Sequence, residues 1–159
     1  MSDTVSDTGF DSAAEVLSAP NILEYPYTRS VGPVIGRFLT GLRDGRIEGI
    51  RARDGRVLVP PVEYDPASGD TLDEFVAVGQ AGVVTTWAWV FAPRPKHPLD
   101  RPFAWALVRL DGADTALLHA VDAVDEARMA TGMRVRVRWR HPRKGHITDI
   151  ACFEPEDPA

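Results

Sequence analysis

The chain has 159 residues, 44% hydrophobic and 26% charged, with a net charge of −5 and a pI near 5.3. A globule of this size buries about 68–70% of its unfolded surface and needs no cross-link to fold; the single cysteine, Cys152, excludes an internal disulfide and an all-cysteine zinc site. No apolar run nears the ~20 residues of a bilayer span, acidic residues stand where an export signal carries basic ones, and the pI is not that of a dedicated nucleic-acid binder. A cytoplasmic protein that binds neither membrane nor nucleic acid is the expectation.

In chain order, residues 1–11 are polar and acidic, and Ser12 with Glu15 has the spacing of a capping box, predicting a short helix that Pro20 ends. Asn21 to Ser30 is expected to be extended because Pro26 restricts the residue before it, and its Tyr25 and Tyr27 are candidates to dock on this domain or a partner. Val34, Ile35, Phe38, Leu39 and Leu42 recur at the spacing of one helical face, with Pro33 at the start and Gly45 beyond the end. That face, Phe38 included, needs a partner surface, either the rest of the fold or another protein.

Ile47–Arg51 and Arg56–Val59 are predicted to pair as a hairpin through Asp54-Gly55, and Asp65-Pro66 with Ser68-Gly69 makes a second turn. From Phe75 onwards, short strands are expected at 75–78, 83–91, 103–110, 117–121, 133–140 and 147–153, with a helical segment at 124–130. Five strands with a helix after the third is the layout of an OB-fold, a Greek-key barrel; an SH3-like barrel is the other candidate.

No P-loop, nucleotide-binding glycine fingerprint, nucleophile elbow or paired-histidine zinc motif occurs in the chain. Cys152 reads as a buried hydrophobe. Between Glu126 and Asp149 there is no acidic residue, while Arg128, Arg134, Arg136, Arg138, Arg140, Arg143 and Lys144 all fall there. Arg134 to Arg140 alternate with apolar residues, which is either the wet face of a sheet or a contact for an acidic partner. His141 and His146 flank the tip HPRKGH, which reads as a solvated basic turn, a phosphate clamp built on Arg143 and Lys144, or half a metal site. Trp87, Trp89 and Trp105, with Phe91 and Phe103, share one parity on two strands, predicting an aromatic face that is a core, an interface or a base-stacking platform. The four-proline connection 92–102 presents Arg94, Lys96, His97 and Arg101.

GRVLVPP (55–61), DPASG (65–69), VGQAGVVTTWAWV, PFAWALVRLDG and ATGMRVRVRW together resemble a family of bacterial and archaeal proteins. These proteins join an N-terminal helix and a rubredoxin-like zinc ribbon to an OB-fold and associate with thiolase-like enzymes acting on acyl-CoA thioesters. The resemblance covers about residues 25–155. The family's ribbon reads CxxCG, a strand, PP, then CPxCG; here Arg51, Asp54, Asp65 and Ser68 stand at the four cysteine positions. Arginine is no zinc ligand and serine a poor one, so a metal-free ribbon held by hairpin pairing and an ion pair from Arg51 to Asp54 or Asp65 is expected. The fold expected is mainly β: a flexible segment (1–29), an amphipathic helix (30–45), a degenerate ribbon (46–72) and a five-stranded OB-fold (73–155).

The resemblance implies a non-catalytic accessory subunit of a thiolase-like or lipid-transfer-type aldolase, cleaving β-hydroxyacyl-CoA in steroid side-chain degradation. It implies a heterotetramer of two large and two small subunits, with a hydratase as a further candidate partner. No cofactor is expected on this chain, though the CoA thioester of the partner's substrate is a candidate contact. The rival readings are a single-stranded nucleic-acid-binding module using the tryptophans and arginines, and a stand-alone acyl-CoA-binding protein.

Overall fold

The computed structural model describes residues 19–25, 28 and 30–156. Helix α1 (Gly32–Arg43) is followed by strands β1 (Glu48–Arg51), β2 (Val57–Leu58), β3 (Phe75–Ala77), β4 (Ala81–Val90), β5 (Phe103–Leu110), β6 (Leu117–Val121), β7 (Arg134–Trp139) and β8 (Ile150–Pro155). Single 3₁₀ turns form at Glu126–Arg128 and Ile147–Asp149. The expected Ser12–Glu15 helix and Tyr27 lie outside the described residues. No described helix is long and apolar enough to cross a membrane.

The strands form two sheets. β2-β1-β3 is a three-stranded antiparallel sheet, and β4-β5-β6-β8-β7 closes into a barrel in which only β6 and β8 run parallel. Five strands with a helical turn between the third and fourth make the barrel an OB-fold. Two boundaries differ from the expectation. Phe75–Ala77 pairs with β1 rather than joining the barrel. Ile147–Asp149 is a helical turn instead of strand, because His146 and Asp149 cap it reciprocally.

The buried apolar residues form three clusters, and α1 contributes to two of them. α1 places Val34 among Ile50, Ala52, Leu58 and Leu72 of the small sheet, and one turn further on it places Phe38 and Leu42 among Val84, Val108, Val135 and Phe153 of the barrel. Phe38 is therefore buried against the chain's own barrel and is not a surface for a partner. Arg37 adds a polar tie, donating to the buried Glu48 carboxylate at 2.9 Å while its guanidinium lies over the Phe75 ring at 4.1 Å. β2 is joined to the barrel through Asp114 and Thr115: the Val57 N–H donates to Asp114 Oδ2 and the Val59 N–H to Thr115 Oγ1.

Candidate functional site

The ribbon has two turns of similar construction. In the first, the Gly55 N–H donates to the Ala52 carbonyl; in the second, the Gly69 N–H donates to the Asp65 carbonyl. Both glycines have positive φ, a conformation that costs them nothing for lack of a Cβ. The residues expected at the cysteine positions of a zinc ribbon make other contacts. Arg51 donates to Glu74 at 2.8 Å and to the Gly55 carbonyl, and Ser68 donates to Asp70. The expected Arg51 pair with Asp54 or Asp65 does not form. Arg56 makes it instead: Nε lies 2.5 Å from Asp54 Oδ2 and Nη2 3.4 Å from the buried Asp65. A guanidinium thus spans the two turns, between Asp54 and Asp65. Zinc needs four Cys, His or carboxylate donors in tetrahedral array; Arg, Asp, Asp and Ser with a second arginine between them do not fit it, and no cluster of three metal-binding side chains occurs among the described residues.

The arginine strand β7 faces its wet side as expected, with Val135 buried opposite, but its acidic partners belong to this chain. Arg134 binds Asp111 and Glu156, Arg136 binds Glu154, and Arg138 binds Asp122 and Glu154. Arg140 has no carboxylate partner among the described residues; its Nε donates to the Thr148 carbonyl. Asp122 is buried and also receives Arg101 from the proline-rich connection. Burial alone would raise its pKa, but the hydrogen bonds from Arg101 and Arg138 outweigh that and hold the carboxyl below its usual range. Asp149 is likewise buried, and the amides of Lys144, Gly145 and His146 that converge on it overcome the burial penalty and lower its pKa.

The aromatic residues do not share one face. β4 and β5 pair Trp87 with Ala106, Ala88 with Trp105 and Trp89 with Ala104. Residues opposite each other lie on the same side of a sheet, so equal parity on these two strands means opposite faces. Trp87 and Trp89 pack on the barrel core, while Phe103 and Trp105 form a small outer core with Ala120 and Cys152. Phe91 is exposed. The 92–102 connection covers the outer core, and His97 lies edge-on to Phe103 and Trp105 with ring centroids 5.6 and 6.3 Å away.

That connection also forms one wall of a cleft of about 600 Å³. Lys96 and His97 lie on this wall, Trp105 and Leu118 on the barrel face, and Arg140, Ile147 and Thr148 on the opposite side. At the cleft, His119 is 7% exposed, and its Nδ1 is the one buried side-chain nitrogen or oxygen among the described residues that lacks a hydrogen-bond partner. Burial lowers its pKa and keeps the ring neutral. Leaving such an atom unpaired costs about 1–3 kcal/mol.

Residues 75–140 match the family model of the ChsH2 C-terminal OB-fold domain. The match runs from β3 into the end of β7 and leaves out β8. Among solved structures, the chain is similar to a protein of unknown function from the DUF35 family from Sulfolobus solfataricus: 18% identical, covering 79% of this chain and 85% of that one, with a TM-score of 0.60. It is also similar to the Ltp2-ChsH2(DUF35) aldolase: 21% identical, covering 80% of this chain and 98% of that one, with a TM-score of 0.59. At these identities the likeness is one of fold. Four-fifths of the chain is more than β4 to β8 contain, so the likeness extends outside the barrel. No curated protein matches the chain.

The expected contact residues are therefore dispersed. Lys96, His97 and Trp105 meet at the cleft; Arg94 and Lys144 are exposed nearby in sequence. Arg101 is held by Asp122, and Arg143 donates to the Arg43 carbonyl at the end of α1. Tyr25 is exposed, as are its neighbours Ile22 and Leu23. His119 and Arg56 were missed by sequence reasoning. The alternation of β7 marked Arg140 but not its lack of a partner, and His119 had no local signal.

Proposed function

We propose that this chain is a non-catalytic accessory subunit of a thiolase-like, lipid-transfer-type acyl-CoA aldolase or thiolase. The observation that carries the reading is the fold match across nearly the whole of a chain from the Ltp2-ChsH2(DUF35) aldolase, together with the ChsH2 domain match over 75–140. Two further features support it. Three groups that could act as nucleophiles or bases are engaged in holding the fold: burial pushes the Cys152 thiol up to about 11, and Asp122 and Asp149 are buried acceptors. The segment entering α1 exposes Ile22, Leu23 and Tyr25, 70–78% accessible, three large apolar side chains close in sequence that a partner would cover.

In this reading the large subunit carries the carbon–carbon chemistry on a β-hydroxyacyl-CoA from steroid side-chain degradation. The small subunit supports its fold and walls its acyl-CoA channel, in a complex of two large and two small chains that a hydratase feeds. Co-expression with a thiolase-like partner, followed by size-exclusion chromatography, tests the core of it. Co-elution with a gain in partner activity is the expected result; separate elution with the partner fully active alone overturns it. The nucleic-acid reading loses its footing because Arg134, Arg136 and Arg138 are paired within the chain and the tryptophans lie on opposite faces.

A further inference from the structure

The barrel's one parallel ladder is short. β6 and β8 are registered at Val121 and Phe153 alone, and the pairing does not continue back to His119 and Ala151, which line the cleft. In OB-folds the second and third strands and the flanking loops form the usual ligand face. Here those strands are β5 and β6, and the loops are 91–102 and 140–149; together with the start of β8 they wall the cleft. Its volume of about 600 Å³ is that of a small-molecule site, and its surfaces have the expected composition, apolar with a few convergent polar groups.

The polar groups are of one sign. Lys96 and Arg140 line the cleft, no acidic residue does, and neither cation has a carboxylate partner among the described residues. This contrasts with Arg134, Arg136 and Arg138, each neutralised by the chain's own acids. Arg140 is held in place by its bond to the Thr148 carbonyl, which leaves its terminal nitrogens for another acceptor. His119 lines the same cleft, so its ring reports on whatever binds there.

We infer that this cleft binds a small amphipathic anion, with its apolar body against Trp105, Leu118 and Ile147, its single acidic group at Lys96 and Arg140, and a polar atom hydrogen-bonded to His119. The inference stands on the cleft alone and does not depend on the partner reading. A long oligonucleotide fits it poorly, since Trp105 is half-buried and covered edge-on by His97.

The test uses the full chain and four probes: 2-naphthoate, 1-naphthyl phosphate, the neutral 2-naphthalenemethanol and an oligothymidylate, each followed by calorimetry. Saturable binding of the carboxylate, the phosphate or both is expected, with the acid that binds tighter identifying the natural head group. The neutral analogue should bind at least about tenfold more weakly, as the loss of charge-assisted hydrogen bonds implies. Changing Lys96→Gln and Arg140→Gln together should remove that preference while leaving the neutral analogue's affinity unchanged. In the unsubstituted protein, the ring nitrogen resonances of His119 should shift on binding, a readout free of folding effects. No saturable binding below the millimolar range, equal binding of the neutral analogue, an unmoved His119 ring, or preferential binding of oligothymidylate would each overturn the inference.

Discussion

Replacing Asp122 tests how the proline-rich connection is fastened to the barrel. Its carboxylate, 2% exposed, accepts from Arg101 at the end of that connection and from Arg138 on β7 at 2.9 Å, while its own N–H donates to the Phe153 carbonyl at 2.8 Å. Charge-assisted hydrogen bonds contribute about 1.5–3 kcal/mol each. Arg101 and Arg138 are 53% and 38% exposed, so both regain water when released, and the sum must be discounted. Asp122→Ala should therefore cost about 2–3 kcal/mol, lowering the melting temperature by about 5–10 °C for a chain of this length. Asp122→Asn, which keeps the shape and loses the charge, should cost about half as much. The pKa of this carboxyl is lowered from 3.8 in the folded state. Its contribution is therefore complete above the unfolded-state value and is lost as pH falls through the folded value. Urea titrations followed by tryptophan fluorescence should show a wild-type advantage over Asp122→Asn at neutral pH that shrinks below about pH 4. An Asp122→Ala cost under about 0.5 kcal/mol, or an Asn gap that persists undiminished into acid, would refute this account.

Two further substitutions probe the ribbon and the barrel seam. Arg56→Met removes the link between Asp54 and Asp65 and should lower stability in low salt, with the difference shrinking toward ~1 M salt as screening replaces the pair; denaturant titrations at the two salt concentrations check it, and a salt-independent cost would contradict it. Gly82→Ala would place a Cβ 2.8 Å from the Leu110 Cα and closer still to the Arg109 carbonyl oxygen. Both are backbone atoms of the adjoining strand that cannot swing aside, so a loss of more than about 3 kcal/mol or an insoluble product is expected, and a soluble variant with an unchanged melting curve would overturn it.

Local patterns made most of the architecture legible. The apolar spacing from Val34 to Leu42 specified α1, Asp54-Gly55 specified the first ribbon turn, and the strands at 103–110 and 117–121 fell where alternation placed them. Pairing partners were not legible, because they depend on register between distant segments. Alternation put Trp87, Trp89 and Trp105 on one parity, yet the pairing of Ala88 with Trp105 sends them to opposite faces. Phe75–Ala77 looks like a barrel strand until its partner is known to be β1. Arg51 stands out because the family resemblance sets it at a cysteine position, whereas the guanidinium that bridges the turns comes from Arg56, in the ordinary sequence beyond Gly55. The His146 to Asp149 spacing did carry a signal for the helical turn, masked by the β-branched Ile147 and Thr148. The cleft draws on residues from Lys96 to Ala151, a convergence that the linear chain does not display.

The Arg56 bridge also changes what the ribbon demands of its surroundings. A cysteine ribbon matures only when zinc is in supply and its thiols stay reduced, which ties assembly to metal traffic and oxidative stress. Here the two turns are tied by an ion pair between side chains of the chain itself, and the one cysteine is buried in the barrel, so no thiol takes part in that tie.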